Sequence, residues 1–276
     1  RYCRVRPEDA AAAERLAVAT ERLGFSRPGL VRAARQYDRA WTLHPDDNTL
    51  GFKQAQLALA GEEPTLALAG AEKLLQKTDP GSPEHLAAFQ LKVQAQLQDV
   101  ERQNAATTWT QVAETLKHGI SSKLDAVQCG YQLAVIYRQH PVESIPISER
   151  EAAAEQVFVE LLTERADDPQ AWFARHAFHQ FFPAPAPVPE STSTENLSPT
   201  TGISAQSPDD DLNRAMELAE QNLTPETHAI WLAAGNREIS RKQFAQAQKY
   251  FQNAVQANPK NYLAWLQLAR LATGLV

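Results

Sequence analysis

Two tryptophans, Trp231 and Trp265, stand 34 residues apart, and a regular series of small and aromatic residues lies between them. The series runs Gly235, Phe244, Ala247, Phe251, Ala254 and Pro259. A fixed period of this length indicates a repeat architecture in which each unit packs on its neighbours. We expect the small residues to let two helices approach, and Phe244 and Phe251 to fill the space between them. The closing proline ends the second helix because it lacks the N–H that a further turn needs.

The second helix of this hairpin has a pattern that recurs upstream. A small residue is followed four positions later by a bulkier one and three further on by an apolar or small one. The six sets are Ala33, Tyr37 and Ala40; Ala67, Ala71 and Leu74; Ala105, Trp109 and Val112; Ala154, Phe158 and Leu161; Ala215 and Ala219; and Ala247, Phe251 and Ala254. The fifth set is the weakest, since Asn222 takes its third place. Abundant Ala, Leu, Gln and Glu, which are good helix formers, agree with six such helices.

The steps between the first members of these sets are 34, 38, 49, 61 and 32 residues, so insertions must separate some hairpins. A stretch that begins at His140 adds 12 residues, and its two prolines place it in the turn between two helices. Residues 183–208 are rich in Pro, Ser and Thr. They have too little apolar surface to offset the entropy of ordering them, so we expect a flexible insertion there.

In these residue types and spacings, the chain resembles the tetratricopeptide repeat family. The resemblance implies an all-α fold, a right-handed α-α superhelix (solenoid) of about six helical hairpins plus a C-terminal capping helix. The cap would span Asn261 to Gly274, with Trp265 and Leu268 facing inward. About thirteen helices would then form a single domain over residues 1–276.

The same resemblance implies a non-catalytic scaffold that binds a peptide or protein partner in a concave groove lined by the first helix of each pair. The corresponding positions here are Phe52, Gln56, Val127, Tyr131, Leu232, Asn236, Leu266 and Arg270. Apolar and amide side chains with little charge suit an extended peptide or a helix. The alternative for each residue is simple packing against an adjacent turn. Two alternative functions also stay open: a self-associating structural module, giving a homo-oligomer, and a sensory domain that binds a small ligand.

One family subclass grips the C-terminal carboxylates of chaperones with Lys and Asn side chains. Gly235 and Asn236 resemble the Gly-Asn pair of that clamp, but Leu232 stands where its lysine would be and Gln267 where its second asparagine would be. A clamp without its cation cannot offset the desolvation of a carboxylate. The sequence therefore predicts a protein partner without identifying it.

Signals for chemistry are weak. Gly-rich phosphate loops, serine elbows and zinc-protease motifs are absent from the sequence, so we expect no enzyme and no cofactor. His176 and His179 lie three residues apart, a spacing that would allow one metal ion to be shared, but the aromatic residues around them favour a structural role. The acidic run Asp209–Asp211 is interpreted as an N-cap that compensates the helix dipole.

A net charge of -6 argues against nucleic-acid binding. Cys3 and Cys129 are too few for a disulfide scaffold, and we expect Cys129 to be a buried thiol. No apolar run approaches the roughly 20 residues that cross a bilayer. Because the chain begins with Arg1, we expect a piece of a longer protein, in which membrane association would come through a segment upstream. The cellular compartment is left open.

Overall fold

A computed structural model describes residues 9–24, 26–103, 106–183 and 207–274. Within these residues the chain forms thirteen α-helices, two short 3-10 helices and no extended strand. The helices are α1 (Ala10–Leu23), α2 (Arg27–Leu43), α3 (Asn48–Ala60), α4 (Pro64–Lys77), α5 (Pro83–Gln103), α6 (Ala106–Ser121), α7 (Ala126–Gln139), α8 (Arg150–Glu164), α9 (Pro169–Phe181), α10 (Pro208–Gln221), α11 (His228–Ser240), α12 (Phe244–Ala257) and α13 (Tyr262–Thr273). The 3-10 helices are Ile147–Glu149 and Pro225–Thr227. None of the helices described is both long and apolar enough to span a bilayer.

Side-chain caps explain where many of these helices begin. An Asp, Ser or Asn precedes the first turn and accepts a hydrogen bond from a backbone N–H that has no partner within the helix. The caps are Asp9, Ser26, Asp47, Asp168, Ser207 and Asn261. At α10 the cap is reciprocal: the Ser207 hydroxyl accepts from the Asp210 N–H, and the Asp210 carboxylate accepts from the Ser207 N–H. The predicted capping role of the acidic run is therefore confirmed at Asp210.

The described residues divide into two compact units. Residues up to Cys129, with Gln139–Ile147, form unit 1, and Gly130–Arg138, with the residues from Ser148 onward, form unit 2. Successive helices pack on one another from α1 to α6 in unit 1 and from α8 to α13 in unit 2. This is the predicted all-α helical repeat fold. A single domain over residues 1–276 and the right-handed superhelix stay predictions.

In unit 1 the core is built on Trp41 of α2. Its indole is fully buried, and an ideal Cβ on Gly51 of α3 would lie 2.7 Å from the Trp41 Cζ2 atom. Only a glycine lets α3 approach the indole this closely. Farther along α3, the buried Gln54 side chain donates to the Leu66 carbonyl at 2.9 Å and so joins α3 to α4. Small residues and one buried amide thus set the spacing of these helices.

In unit 2 the crossing of α11 and α12 follows the expected design. Gly235 lies against Phe251, whose Cε1 atom would be 2.3 Å from an ideal Cβ on that glycine. Trp231 and Phe251 are both fully buried. At the start of the unit, the rings of Phe158 on α8 and Phe178 on α9 pack with centroids 5.1 Å apart.

All six predicted second helices are present, as α2, α4, α6, α8, α10 and α12. Their small and bulky marker residues are buried, including Trp109 and Val112 of the third set. Ala105, the first member of that set, lies outside the described residues. Asn222 follows the last residue of α10 and is exposed, which explains why it breaks the fifth set. The stripe pattern is local to one helix, so the sequence alone identifies it.

Two predicted core residues are exposed instead. Phe244 is the first residue of α12 and lies at its end, where it does not fill the space between helices. Trp265 on α13 was expected inward but is 53% exposed, whereas Ala264 is buried and Leu268 half-buried. The helix that would cover this face of Trp265 is not among those described. α13 therefore packs on α12 but leaves an apolar side of its own open.

Both predicted insertions fall between helices. The first connects α7 to α8, and within it the His140 ring stacks on Trp109 with centroids 3.5 Å apart. The second connects α9 to α10. Pro208 belongs to α10 rather than to the insertion, and the predicted flexibility concerns residues 184–206, which lie outside the described part of the chain.

Candidate protein-binding surface

The eight predicted partner-binding residues lie on the first helices α3, α7, α11 and α13. Four are exposed and four are half-buried. The exposed residues are Gln56, Asn236, Leu266 and Arg270; the half-buried ones are Phe52, Val127, Tyr131 and Leu232. Each therefore retains some solvent contact, and their role in binding stays a prediction.

In unit 1, Phe52 and Gln56 occupy adjacent turns of α3. Phe52 packs in part against the core, so its contribution is shared between stability and the surface. The first helices on either side are tied to α3 by polar contacts: Lys53 pairs with Glu21 of α1 at 3.0 Å, and Gln98 of α5 donates to the Leu59 carbonyl at 3.1 Å. These contacts place α1, α3 and α5 side by side.

The sequence analysis missed the two residues of α5 that occupy the positions equivalent to Phe52 and Gln56. Gln90 and Gln94 precede Ala105 by 15 and 11 residues, the same offsets by which Phe52 and Gln56 precede Ala67. Both glutamines are exposed, and Gln90 donates to an Asp125 carboxylate oxygen at 3.0 Å. Their distance in sequence from Ala105 could have identified both glutamines as surface positions. They add amide groups to the surface of unit 1.

In unit 2, Leu232 and Asn236 directly follow Trp231 and Gly235, which are buried under α12. Because successive helical residues are about 100° apart, the two followers lie beside the buried face and stay accessible. Leu266 and Arg270 stand 34 residues later at the equivalent places of α13. Phe173 follows Trp172 on α9 in the same manner and is half-buried; the sequence analysis missed it because the insertion breaks the 34-residue period.

Ion pairs and a hydrogen bond join α11, which carries Leu232 and Asn236, to α10. Arg241 binds the Asp209 carboxylate at 2.6 Å, and Arg237 donates to the Asn213 side chain at 2.8 Å. Glu238, which is nearly fully buried, pairs with Arg237 at 3.0 Å. Asp209 therefore serves as an inter-helix partner rather than as a cap. These contacts fix the position of the helix that carries Leu232 and Asn236.

The histidines of α9 belong to a buried polar cluster. The His176 Nδ1–H donates to the Pro208 carbonyl at 2.7 Å, and burial lowers the pKa of His176. His179 lies 3.4 Å from a Glu155 carboxylate oxygen. Burial alone would lower the pKa of His179, but the hydrogen bond and negative charge of Glu155, together with the Phe182 carbonyl, outweigh burial, and the pKa is raised. The described residues contain no group of three or more His, Cys, Asp or Glu side chains that could hold a metal ion.

Beside these histidines, Arg175 of α9 pairs with Asp211 of α10 at 3.2 Å, and both side chains are almost completely buried. Among the described residues, neither Asp211 oxygen receives a hydrogen bond of good geometry. Burial outweighs the attraction of Arg175 and raises the pKa of Asp211 to about 6. Asp211 is thus a buried ion-pair partner, a role that the interpretation of the acidic run as a cap did not foresee.

The geometry gives no support to a chaperone carboxylate clamp on α11. Leu232 supplies an apolar, half-buried side chain where the clamp has a lysine, and Gln267 on α13 is half-buried. The Asn236 side chain is exposed, and its amide group can both donate and accept hydrogen bonds. The surface of unit 2 is therefore apolar and amide-bearing rather than cationic at these positions.

Comparisons with known proteins found one family match and structural similarities. The family model described as "Tetratricopeptide repeat" matches residues 228–271, which span α11, α12 and most of α13. A similar solved structure is that of a tetratricopeptide repeat protein from Parabacteroides merdae ATCC 43184, with 15% identity, coverage of 98% of this chain and 88% of that chain, and a TM-score of 0.43. No curated protein sequence matches the chain.

Tetratricopeptide repeats generally mediate protein–protein interactions, and the family is typically non-catalytic. The matched segment contains the 34-residue step from Trp231 to Trp265. It also contains the Gly235–Phe251 crossing that the structure shows. By sequence, residues 228–271 of this chain therefore match a tetratricopeptide repeat.

Proposed function

We propose that this protein is a non-catalytic scaffold that binds an extended peptide or a helix of a partner protein along the exposed side of its first helices. The observation that carries the proposal is the accessible pair of side chains that repeats on α11 and α13. Leu232 and Asn236 form the first pair, and Leu266 and Arg270 form the second. Buried residues immediately precede both members of the α11 pair, so this side of the helix is not needed for its packing on α12.

The chemistry of these pairs suits a polypeptide. Each pair places an apolar side chain one helical turn before a polar one, so both lie on the same side of the helix. The leucine can bury an apolar anchor of the partner, and the amide or guanidinium group can hydrogen-bond its backbone. In unit 1, Phe52 with Gln56, and the glutamines of α5, offer the same combination. A polypeptide has a regularly repeating backbone and can therefore bind to several such pairs of side chains.

Site-specific photocrosslinking tests the proposal. A photoreactive phenylalanine analogue at Asn236 should form an adduct with one defined polypeptide in the presence of cell extract. The same analogue at Gln252, which is exposed on the second helix α12, is the matched control and should give no such adduct. Equal crosslinking at both positions, or none at Asn236, would overturn the proposed surface.

Once that polypeptide is known, its affinity can be compared between variants. Leu232→Glu places a charge at the apolar anchor and should weaken binding at least about tenfold, whereas Gln252→Ala should have no effect. Repeating the measurement without residues 184–206 separates binding by the helices from binding by the insertion. An adduct that consists of a second copy of this chain would instead favour the self-associating alternative.

A further inference from the structure

The His179 ring of α9 is buried between two hydrogen-bond acceptors. Its Nε2 atom lies 3.4 Å from a Glu155 carboxylate oxygen of α8, and its Nδ1 atom lies 3.4 Å from the backbone carbonyl of Phe182 at the end of α9. A carbonyl and an ionised carboxylate only accept hydrogen bonds, and a neutral imidazole has a single N–H to donate. Both contacts can therefore be hydrogen bonds only when the ring is protonated on both nitrogens.

The neighbouring His176 has a different arrangement. Its Nδ1–H donates to the Pro208 carbonyl at 2.7 Å, and among the described residues no carboxylate forms an ion pair with its ring. A neutral ring satisfies this single contact, and burial lowers the pKa of His176. The two histidines are both buried on the same helix, but only His179 has a carboxylate that favours the charged form.

Charged side chains from three helices meet around the His179 ring. Glu155 of α8 is its direct partner, Arg175 lies one turn earlier on α9, and Asp211 of α10 pairs with Arg175 at 3.2 Å. We call these four residues the His179 cluster; the adjoining His176 is neutral. When His179 is protonated, two cations and two carboxylates balance, and when it is not, one negative charge is left without a partner. Burial penalises such a charge, so the proton on His179 keeps the cluster neutral.

The same ring helps to fix the end of α9. Phe182 is the C-cap residue: its backbone N–H donates to the Phe178 carbonyl at 2.9 Å, and its side chain packs on the Phe178 ring with centroids 4.9 Å apart. Phe178 in turn packs on Phe158 of α8. His179 adds a polar connection at this place, from Glu155 through the imidazole to the Phe182 carbonyl. The last turn of α9 is therefore held by aromatic packing, which does not depend on pH, and by a connection that depends on one proton.

We propose that His179 is a pH-sensitive link between α8 and the end of α9, complete when the imidazole is protonated and broken on one side when that proton dissociates to solvent. A neutral ring that keeps its Nδ1–H for Phe182 turns the Nε2 lone pair towards the Glu155 carboxylate, so the contact between the helices is the one that is lost. The last turn of α9, which carries the exposed Gln180 and Phe181, is then held less tightly. This link goes beyond the proposed scaffold function and does not depend on it.

The pH range of the link follows from the groups around the ring. Burial lowers the pKa of His179, but the hydrogen bond and charge of Glu155 and the Phe182 carbonyl outweigh burial, so the pKa lies above its ordinary value of 6.5. A group whose pKa is raised by folding stabilises the fold fully below its unfolded pKa and loses that contribution as the pH rises through its folded pKa. The link should therefore be present at pH 6 and lost at alkaline pH. Asp211, whose pKa is raised to about 6, titrates at lower pH.

Nuclear magnetic resonance of the full chain with ¹⁵N-labelled histidine measures this protonation directly. The His179 signal, identified by its absence from the His179→Gln variant, should titrate above pH 6.5 and the His176 signal below it. Glu155→Gln keeps an acceptor but removes the charge, so it should lower the His179 pKa by about 1. Glu160→Gln makes the same change at an exposed position of α8 and is the matched control; it should leave the titration of His179 unchanged.

Amide hydrogen exchange measures the structural consequence. The protection factor of the Phe182 N–H, which corrects for the intrinsic pH dependence of exchange, should fall at least about threefold between pH 6 and pH 8.5 in the unmodified chain. In His179→Gln, which has no titrating ring at this position, the two values should be equal. The N–H of Arg165, which caps α8 by donating to the Leu161 carbonyl at 2.9 Å, is the internal control and should show no such fall in either protein.

Three results would overturn the proposal. The first is a His179 pKa at or below 6.5, and the second is a His179 pKa that Glu155→Gln leaves unchanged. The third is a Phe182 protection factor that depends on pH equally with and without His179, because the response would then come from another group. If His179→Gln does not fold, Glu155→Gln replaces it: Glu155 is partly exposed, and this variant should show low protection of Phe182 already at pH 6. None of these measurements involves a binding partner, so their failure leaves the proposed binding row standing.

Discussion

Replacing Arg175 by methionine should destabilise unit 2 more than any removal of a surface charge. The guanidinium group of Arg175 lies 3.2 Å from the Asp211 carboxylate, and both side chains are almost fully buried. Arg175→Met keeps much of the side-chain volume and removes the cation. Asp211 would then be a buried carboxylate without its partner, an arrangement that folding strongly disfavours.

The expected magnitude follows from the burial of the pair. Removing one member of a buried ion pair costs about 3–5 kcal/mol. The pKa of Asp211 points in the same direction, since burial raises it from an ordinary value of 3.8 to about 6 even with Arg175 present. That difference means that holding Asp211 ionised in the folded state already costs about 3 kcal/mol at neutral pH. Without Arg175 the cost rises until the carboxyl group takes up a proton.

The sign of the pH dependence follows from the raised pKa. Folded Asp211 binds a proton more readily than unfolded Asp211, so the cost of burying the charge is present above about pH 6 and is relieved as the pH falls from 6 towards 4. The Arg175→Met variant, whose Asp211 pKa is higher still, should therefore lose less stability at pH 5 than at pH 8, relative to the unmodified chain.

Urea unfolding followed by circular dichroism at pH 5 and pH 8 measures both effects. Arg214→Met is the matched control, because Arg214 forms an ion pair of similar length with Glu217 on α10 but is exposed; it should cost less than about 1 kcal/mol. The double change Arg175→Met with Asp211→Leu should recover most of the lost stability, since a well-packed apolar pair replaces the charges. An Arg175→Met cost no larger than that of the control, or no recovery in the double variant, would refute this reasoning.

Three further predictions rest on other parts of the chain. Gly235→Ala should lower the free energy of unfolding by about 1–3 kcal/mol, because the new methyl group forces Phe251 to move, whereas Gly130→Ala, whose nearest neighbour atom is 3.2 Å from the added Cβ, should cost less in the same urea titration. Deleting residues 184–206 should leave helicity and Tm nearly unchanged in a thermal melt; a large loss of either would show that the insertion packs on the helices. Cys129 should react far more slowly with Ellman's reagent in the native protein than in urea when the other cysteine is replaced by serine, because burial raises its pKa to about 12; equal rates would contradict its burial.

The sequence predicts most of the helices because each stripe depends on residues within one helix. Ala247, Phe251 and Ala254 are buried where their spacing places them on one face. Both insertions could also be located, since departures from a 34-residue period mark where extra residues lie. Proline then assigns those residues to the connections between helices.

What the sequence could not reveal depends on residues far apart in the chain. Arg175 and Asp211 come together across an insertion that no period spans, and an acidic run at a helix start has a simpler interpretation as a cap. Trp265 repeats Trp231 in sequence, but its burial depends on a following helix, which the pattern of α13 itself does not contain. The half-buried Phe173 was missed because the same insertion interrupts the 34-residue period.

The exposure of Trp265 also has an optical consequence. The chain contains five tryptophans, and the other four, Trp41, Trp109, Trp172 and Trp231, are buried. Red-shifted emission and quenching by iodide should therefore come from Trp265 alone. A blue shift with loss of iodide quenching would report, without any added label, that a ligand has covered this one side of α13.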